Sequence, residues 1–425
     1  MEGMYATGLV VYENGLTIFA IVLLICSKLA FYTGARLVGN ASVRRREFSA
    51  SVIHLDETDR VFLFFLIGGS ILAGAFAFSE AISVGVFSGG YFGGGGLADA
   101  RGEMWSEIYS DKATASPMKS MMTVASFCLA ILLPFFYRGR RFFLLFISLY
   151  SCLVVVAEAL LSAGRFSLAL LILCLIVSFS VALQKTRLTE VVSWRVVLVV
   201  GGMIFYSLIV FPVQRNPELP YAVAAYLSWL ADAEIASWVY EIAEIPGLSW
   251  FPVLAYSSSY FSGSLDKLSF FVSYTEVGDW YTLGLYNLPI ISQIGSALGF
   301  TDYYWVEIRQ SIAGTMNYVG LAGNPWATGL RDFVIDFGSF GAVVVIALVG
   351  MALQACYVRS LNSMSIYWKI LGVVASVAAF IMSFVSPLQI RLIANTFVAL
   401  LLFILVRWVV TLATRRKSVG MISNW

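Results

Sequence analysis

Three arginines in this sequence stand at the edges of long apolar stretches, where a charge is costly and therefore informative. Arg165 follows the short turn SAG, Arg391 follows the equally short turn SPLQ, and Arg331 comes just before an apolar run. A guanidinium group keeps its charge in proteins, and its fork of N–H donors matches the oxygens of a phosphate. If the three lie on one side of a membrane, they predict a site for a diphosphate. The alternative is that each arginine reaches toward lipid phosphates.

Carboxylates accompany these arginines along the chain. Asp332 and Asp336 are four residues apart, so a helix that begins near residue 331 places both on one side. Glu158 precedes Arg165 by two helical turns. Acidic residues in a first helical turn also stabilise the helix N-terminus, which is the structural alternative. The catalytic hypothesis is that one carboxylate orients an arginine or accepts a proton, with Asp336 preferred over Asp332 and Glu158.

The elements that must position these residues are membrane helices. The chain has 425 residues, of which 60% are hydrophobic and only 12% are charged, and its mean hydropathy is +0.84. These values exclude an ordinary soluble globular protein. A helix needs about 20 apolar residues to cross about 30 Å of hydrocarbon. We predict an all-α polytopic membrane protein, one integral membrane domain over residues 1–425, with about nine transmembrane helices at 14–34, 61–79, 120–137, 142–164, 166–184, 196–214, 337–358, 370–390 and 392–414.

The distribution of basic residues predicts the orientation of these helices. Most of the 27 lysines and arginines fall at one set of helix ends and loops, with clusters at 44–46, 138–141 and 415–417. Cytoplasmic loops carry an excess of such residues, so this side is predicted to be cytoplasmic and the N-terminus to lie outside. The three arginines at the edges of apolar stretches then share the outer side.

Two long segments are predicted on the outer side, at residues 80–119 and 215–336. Loops as long as the second are usually functional or disordered. Apolar residues recur at helical spacing from Ile235 to Ile245, so we predict an amphipathic helix there rather than disorder. The aromatic residues of this segment form either an interfacial belt or a groove for sugars. Trp280 and Trp305 are the tryptophans predicted to bind sugar.

Residues that could hold a metal ion outside the membrane are scarce in the sequence. His54 is the only histidine and falls in a predicted cytoplasmic loop, and no cluster of cysteines replaces it. We therefore predict neither a metal nor another cofactor, and no nucleic-acid partner. The charge that a metal would supply is assigned to the arginines, with Arg215 and Arg309 as secondary candidates for binding the diphosphate.

Three motifs carry a resemblance to a known family. The stretch from Asn324 to Gly341 reads N-x-x-x-T-x-x-R-x-x-x-x-D-F-G-x-x-G and leads into an apolar helix. The other two are YFSGSLDKLSFF at 260–271 and GRFSLALLILCL at 164–175. Together they resemble the oligosaccharide repeat-unit polymerases, the Wzy-type O-antigen and capsule polymerases. That family has an aspartate-aromatic-glycine step into a late helix, a Tyr-x-x-Gly region in a large periplasmic loop, and a hairpin with an arginine before an apolar helix.

The resemblance implies a metal-independent glycosyltransferase of the multi-helix membrane class. It would lie in the bacterial inner membrane with its active site facing the periplasm. It would move a growing glycan from undecaprenyl diphosphate to the non-reducing end of a new lipid-linked repeat unit. Its partners would be the undecaprenyl-diphosphate-linked oligosaccharide, the lipid bilayer, a chain-length regulator and a flippase. The matching positions make Tyr260 and Asn324 candidates for sugar binding.

Two other functions also need a membrane site for a lipid diphosphate. An O-antigen ligase shares the large loop and the lipid substrate, but ligases of that family rely on a periplasmic histidine, and His54 is predicted inside. A lipid-linked oligosaccharide flippase or other transporter would bind the diphosphate too, yet it should have more helices and internal repeats. The polymerase is therefore the preferred interpretation.

Overall fold

The computed structural model of the protein describes most of the predicted membrane helices and part of the second outer segment. Helices make up most of this part of the chain, and the few strands are short. The described residues are 3–4, 10–12, 18–42, 55–83, 117–161, 165–183, 201–202, 205–210, 212–213, 219, 222–225, 227, 233–257, 268, 329–382 and 390–422.

The helices of the described residues follow the order α1 Ile18–Ser42, α2 Glu57–Ser83, α3 Pro117–Arg138, α4 Phe142–Leu161, α5 Arg165–Leu183, α6 Ser237–Ala243, α7 Gly329–Asn362, α8 Ile366–Ile381 and α9 Arg391–Ile422. A π-helical turn spans Tyr206–Val210. Three strands form one antiparallel sheet in chain order, β1 Gly3–Met4, β2 Val10–Tyr12 and β3 Ala233–Ile235.

Five helices are long and apolar enough to cross a membrane, namely α1, α2, α3, α4 and α7. The apolar parts of α5, α8 and α9 are shorter, at Ser167–Leu183, Ile366–Ile381 and Leu392–Arg407. Each of these helices coincides with a predicted one, so the helical membrane architecture is confirmed at this level. Of the predicted helix at 196–214, the structure describes residues 201–202, 205–210 and 212–213, which include the π-helical turn Tyr206–Val210. The total of about nine spans and the outer position of the two long segments therefore stay predictions.

The start of α7 agrees with the helix start near residue 331 that the spacing of Asp332 and Asp336 predicts, since the helix begins at Gly329. The predicted membrane span begins later, at 337, next to Gly338, where the helical conformation is interrupted. The charged stretch is thus a helical segment that precedes the apolar run. Hydropathy leaves this segment out because Arg331, Asp332 and Asp336 lower the local apolar average.

The main bundle is built around α3, which is buried on nearly all sides. Phe127, Leu129, Ile131 and Leu132 of this helix are fully buried, and α2, α4, α5, α8 and α9 pack against it. A helix that is apolar all round is stable only when other helices or lipid enclose it. In contrast, α2 exposes a row of large apolar side chains that includes Phe64, which is typical of a helix that faces lipid.

Helix α1 packs along α7 through two glycines. An added Cβ at Gly34 would overlap the backbone oxygen of Ala347, and one at Gly350 would lie 2.5 Å from the backbone oxygen of Phe31. A larger residue would push the helices apart, so the glycines permit a close approach of the two backbones. Helix α8 joins this pair to the main bundle, since it packs on α7 and also on α3, α5 and α9.

The three short strands are an addition to the predicted all-helical fold. β2 pairs with β3 and thereby joins the N-terminal residues to the second outer segment. Ile235 lies in β3, so the predicted amphipathic helix is shorter than expected and α6 begins only at Ser237. On α6, Val239 is buried and Glu241 is exposed, which is the pattern of an amphipathic helix. Strands this short leave no measurable alternation in the sequence, which is why the pattern does not predict them.

Candidate functional site

Arg331 and Asp332 form a buried ion pair in the first turn of α7. The Nε and Nη2 atoms of Arg331 donate to the same oxygen of Asp332, Oδ1, at 2.8 and 2.7 Å. Arg331 is only 2% exposed, and Asp332 is fully buried. Two bonds from one guanidinium group fix its plane, which a single bond would leave free to rotate. Asp332 therefore holds Arg331 in one orientation.

A break in α7 follows two residues after Asp336, which is itself fully buried. Gly338 has φ 68° and ψ 174°, a conformation that other residues adopt only with strain. A second helical run follows this glycine, and the first N–H groups of a helix have no carbonyl partner within that helix. The Ser339 hydroxyl oxygen is also buried, without a hydrogen-bond partner among the described residues. The break thus combines a carboxylate, a hydroxyl and a helix start within four residues.

Side chains of α7 itself and of three other parts of the chain enclose this site. Leu23 comes from α1, Met382 follows α8 and Leu268 belongs to the second outer segment. An apolar enclosure lowers the effective dielectric, so a charge inside it interacts more strongly than it would in water. The buried cluster consists of Leu23, Leu268, Leu330, Phe333, Val334, Ala342, Ile346 and Met382.

Glu158 lies in the main bundle, on α4. Its Oε1 accepts a hydrogen bond of 2.9 Å from the Thr123 hydroxyl of α3. Close to this carboxylate, Lys119 of α3 and Glu80 of α2 form an exposed ion pair of 2.9 Å. Asp336, in contrast, lies on α7, which packs chiefly on α1 and α8. Asp332, another of the candidate carboxylates, is bonded directly to Arg331.

The other predicted site residues are described only in part. Arg165 and Arg391 are the first residues of α5 and α9, and the structure describes their backbone alone. The convergence of three arginines on one diphosphate therefore stays a prediction. The remaining candidates lie outside the described residues, namely Arg215, Arg309, Tyr260, Trp280, Trp305 and Asn324.

A second group of buried charges lies at the turn between α7 and α8, where the sequence predicts no site. The Lys369 Nζ donates to the Ser360 carbonyl at 2.6 Å, and the Ser365 hydroxyl donates to Asp59 Oδ1 at 2.5 Å. Both Lys369 and Asp59 are buried. The sequence holds one signal near this group, namely two aspartates, Asp56 and Asp59, spaced three residues apart at the start of α2. In the structure Asp56 is the N-cap of that helix, because its side chain accepts the Asp59 N–H at 2.7 Å.

The acidic residues of the described ranges do not assemble into a metal site. No group of three or more histidine, cysteine, aspartate or glutamate side chains there could hold a metal ion. Among the described side chains of the buried site on α7, Arg331 carries a positive charge.

Comparison of the chain with protein-family models, with curated proteins and with solved structures finds no match. The class that the fold defines is a multi-pass helical membrane protein with a buried ion pair at the start of α7. The more particular assignment rests on the motifs of the sequence and on the geometry of that pair.

Proposed function

We propose that this protein is a membrane glycosyltransferase that polymerises lipid-linked oligosaccharide repeat units. It transfers a growing glycan from undecaprenyl diphosphate to the non-reducing end of a new lipid-linked unit, at the periplasmic face of the bacterial inner membrane. The observation that carries the proposal is the buried pair of Arg331 and Asp332 in the first turn of α7. The motif from Asn324 to Gly341, which contains this pair, supports it.

Helix energetics do not account for an arginine at this position. The N-terminus of a helix carries a partial positive charge, so a cation in the first turn is unfavourable by about 0.3–1 kcal/mol. Burial adds a further cost, because both charged groups lose their contact with water. Apolar residues can therefore often replace a buried ion pair with little loss of stability. Asp332, in the same first turn, has the sign that this helix end favours, whereas Arg331 has the opposite sign. A cation held there against these costs supports a role in binding an anion.

In the proposed reaction, a hydroxyl oxygen of the acceptor sugar attacks the anomeric carbon of the donor glycan. A new C–O bond forms, the bond between that carbon and the diphosphate oxygen breaks, and the diphosphate leaves with the electron pair. Arg331, together with Arg165 and Arg391, stabilises the negative charge that develops on the leaving group. Asp336 accepts or orients the proton of the attacking hydroxyl.

Two substitutions test Asp336 against its structural alternative, an acidic residue at a helix start. Asp336→Asn keeps the shape and one acceptor oxygen but cannot take the proton, whereas Asp336→Ala removes both. A proton acceptor should lose a factor of about 10²–10⁴ in rate in either variant. The measurement is the polymer length at equal protein level. Near-normal chains with Asn and short chains with Ala would contradict the catalytic role and move it to Asp332 or Glu158.

The reaction itself is tested with purified protein and a defined lipid-linked repeat unit. Products of two or more units, formed with release of undecaprenyl diphosphate in excess EDTA, are the expected result. An EDTA-sensitive activity that magnesium restores would contradict the arginine-based mechanism. In a strain that lacks the gene, a glycan of a single repeat unit indicates a lost polymerase, whereas an unmodified core indicates a lost ligase or flippase.

A further inference from the structure

We infer that the exposed face of α7 binds the polyprenyl chain of the lipid-linked donor, an inference that rests on the proposed function. Phe340, Val344 and Leu348 follow one another at intervals of four residues, so they form one stripe along the helix. They are 84%, 46% and 52% exposed, respectively. At a rise of 1.5 Å per residue, this apolar stripe extends about 12 Å along the helix axis.

The opposite face of α7 is already occupied by α1. Ala342, Ile346 and Gly350 recur at the same interval, two residues out of step with the apolar stripe, and all three are buried. Leu23 of α1 belongs to the same buried cluster as Ala342 and Ile346, and Phe31 of α1 lies against Gly350. One face of the helix therefore holds α1, and the stripe faces the membrane.

Position distinguishes the apolar stripe from other lipid-facing rows such as the one on α2. The stripe begins two residues after the break at Gly338, and Asp336 and Arg331 lie two and seven residues before that break. Phe340, its first residue, is the most exposed large apolar side chain of the described residues. A polyprenyl diphosphate has the same order of parts, with the charged group at the membrane surface and the apolar chain beneath it. A diphosphate bound by Arg331 would deliver its chain to the α7 stripe.

Contact with the stripe orients the chain rather than drawing it out of water. Lipid tails are as apolar as the side chains, so packing and not the hydrophobic effect decides which chain lies against the helix. The Phe340 ring supplies the largest surface for such packing. We therefore expect a contribution to substrate selection of about tenfold, at the lower end of what a single apolar contact provides.

The experiment compares two donors that carry the same glycan on a diphosphate, one with a full-length polyprenyl chain and one with a prenyl chain too short to reach the stripe. The wild-type protein should use the long-chain donor with the higher kcat/KM. Phe340→Ala should lower kcat/KM for the long-chain donor by about tenfold and leave the short-chain donor unchanged. The matched control is Phe64→Ala on α2, where the ring is 74% exposed, and it should change neither value.

A photoactivatable group on the polyprenyl chain gives a second readout that does not depend on turnover. Crosslinks are expected on peptides of α7, and their yield should fall in Phe340→Ala but not in Phe64→Ala. Crosslinks found equally on α2 and α7 would overturn the inference, because they would show that the chain samples the membrane surface of the protein without preference.

The remaining outcomes separate this inference from the proposed function. Transfer that requires Arg331 but is indifferent to chain length would leave the polymerase in place and overturn the tail site. Equal effects of Phe340→Ala and Phe64→Ala would do the same, and would assign the stripe to ordinary phospholipid. A change of oligomeric state in Phe340→Ala, with chain-length selection intact, would assign it to a second copy of the chain. If the wild-type protein transferred no glycan from either donor, the proposed function and the tail site would both fall.

Discussion

The hairpin of α7 and α8 buries charged side chains at both of its ends, but the two ends differ in whether the sign of the charge suits the helix dipole. At the turn, Lys369 donates to a carbonyl in the last turn of α7. Asp59 faces the Ser365 hydroxyl and the Ile366 N–H where α8 begins. A cation at a helix C-terminus and an anion at a helix N-terminus both suit the helix dipole. At the open end, Arg331 is a cation at the N-terminus of α7, the sign that the dipole disfavours.

Lys369 and Asp59 thus bond to backbone groups at helix ends, whereas the charge of Arg331 is not required for helix formation. Helix ends leave backbone groups without helical partners, and Lys369 and Asp59 bond to such groups. Their burial is therefore explained by the fold. Arg331 is equally buried, but its charge has the wrong sign for its place. The sign of a buried charge relative to the nearest helix end therefore singles out Arg331 among these side chains, which burial alone does not.

The largest effect is expected at the open end of the hairpin. Arg331→Ala leaves the Asp332 carboxylate buried and unmatched, which should destabilise the fold by about 3–5 kcal/mol and stop polymer formation. The double variant Arg331→Met, Asp332→Leu removes both charges, so it should regain most of that stability because apolar residues replace buried ion pairs at little cost. Polymer formation should remain absent. Thermal unfolding in detergent and the product ladder of the purified protein measure the two effects.

Arg331→Lys is the matched control for this pair. Lysine keeps the charge opposite Asp332 but lacks the planar fork, so the variant should fold normally and polymerise poorly. A folded double variant with normal chain length would place Arg331 among the structural charges, and the contrast between the two ends of the hairpin would disappear.

Part of the candidate site was predictable from the sequence because charges at the edge of an apolar run are costly. That cost points to Arg331, Asp332 and Asp336. The sequence also suggested that a carboxylate orients an arginine, but it favoured Asp336 over Asp332, since neighbouring residues of a helix do not normally face each other. The break at Gly338 was not predicted. The sequence shows a glycine there but not its φ value, which depends on the packing around it.

The membrane helices were predictable because hydropathy over about 20 residues reflects a requirement of the bilayer itself. The contacts at the turn were not. Asp59 and Ser365 are 306 residues apart in the chain, and no local pattern records a pairing over that distance. The same holds for the sheet that joins the N-terminal residues to β3.

A smaller effect is expected where α1 packs on the part of α7 below the break. An added Cβ at Gly350 would lie 2.5 Å from the Phe31 oxygen, so Gly350→Ala should lower stability by about 1–3 kcal/mol. The matched control is Gly68→Ala on α2, where an added Cβ meets nothing within 4 Å. That change should be neutral or stabilising by up to about 1 kcal/mol, since alanine is the better helix former. Activity per folded molecule should be normal in both. A Gly350→Ala protein that is stable but inactive would extend the functional region beyond the open end of the hairpin.

The smallest effect is expected at the turn of the hairpin. Asp59→Ala removes the carboxylate that accepts from Ser365 where α8 begins, and the loss of such a helix cap costs about 0.5–2 kcal/mol. Asp59→Asn keeps one acceptor oxygen and should cost less, because asparagine caps helices about as well as aspartate. Polymerisation per folded molecule should stay normal in both variants, since Asp59 contacts the end of α8 opposite to the one at Met382, which packs in the cluster around Arg331. The measurement pairs the melting temperature with the specific activity of each purified variant. An Asp59→Ala protein that melts like the wild type but makes no polymer would show that a charge with the favourable sign for its helix end can also serve the reaction, and the sign would then no longer separate the two ends.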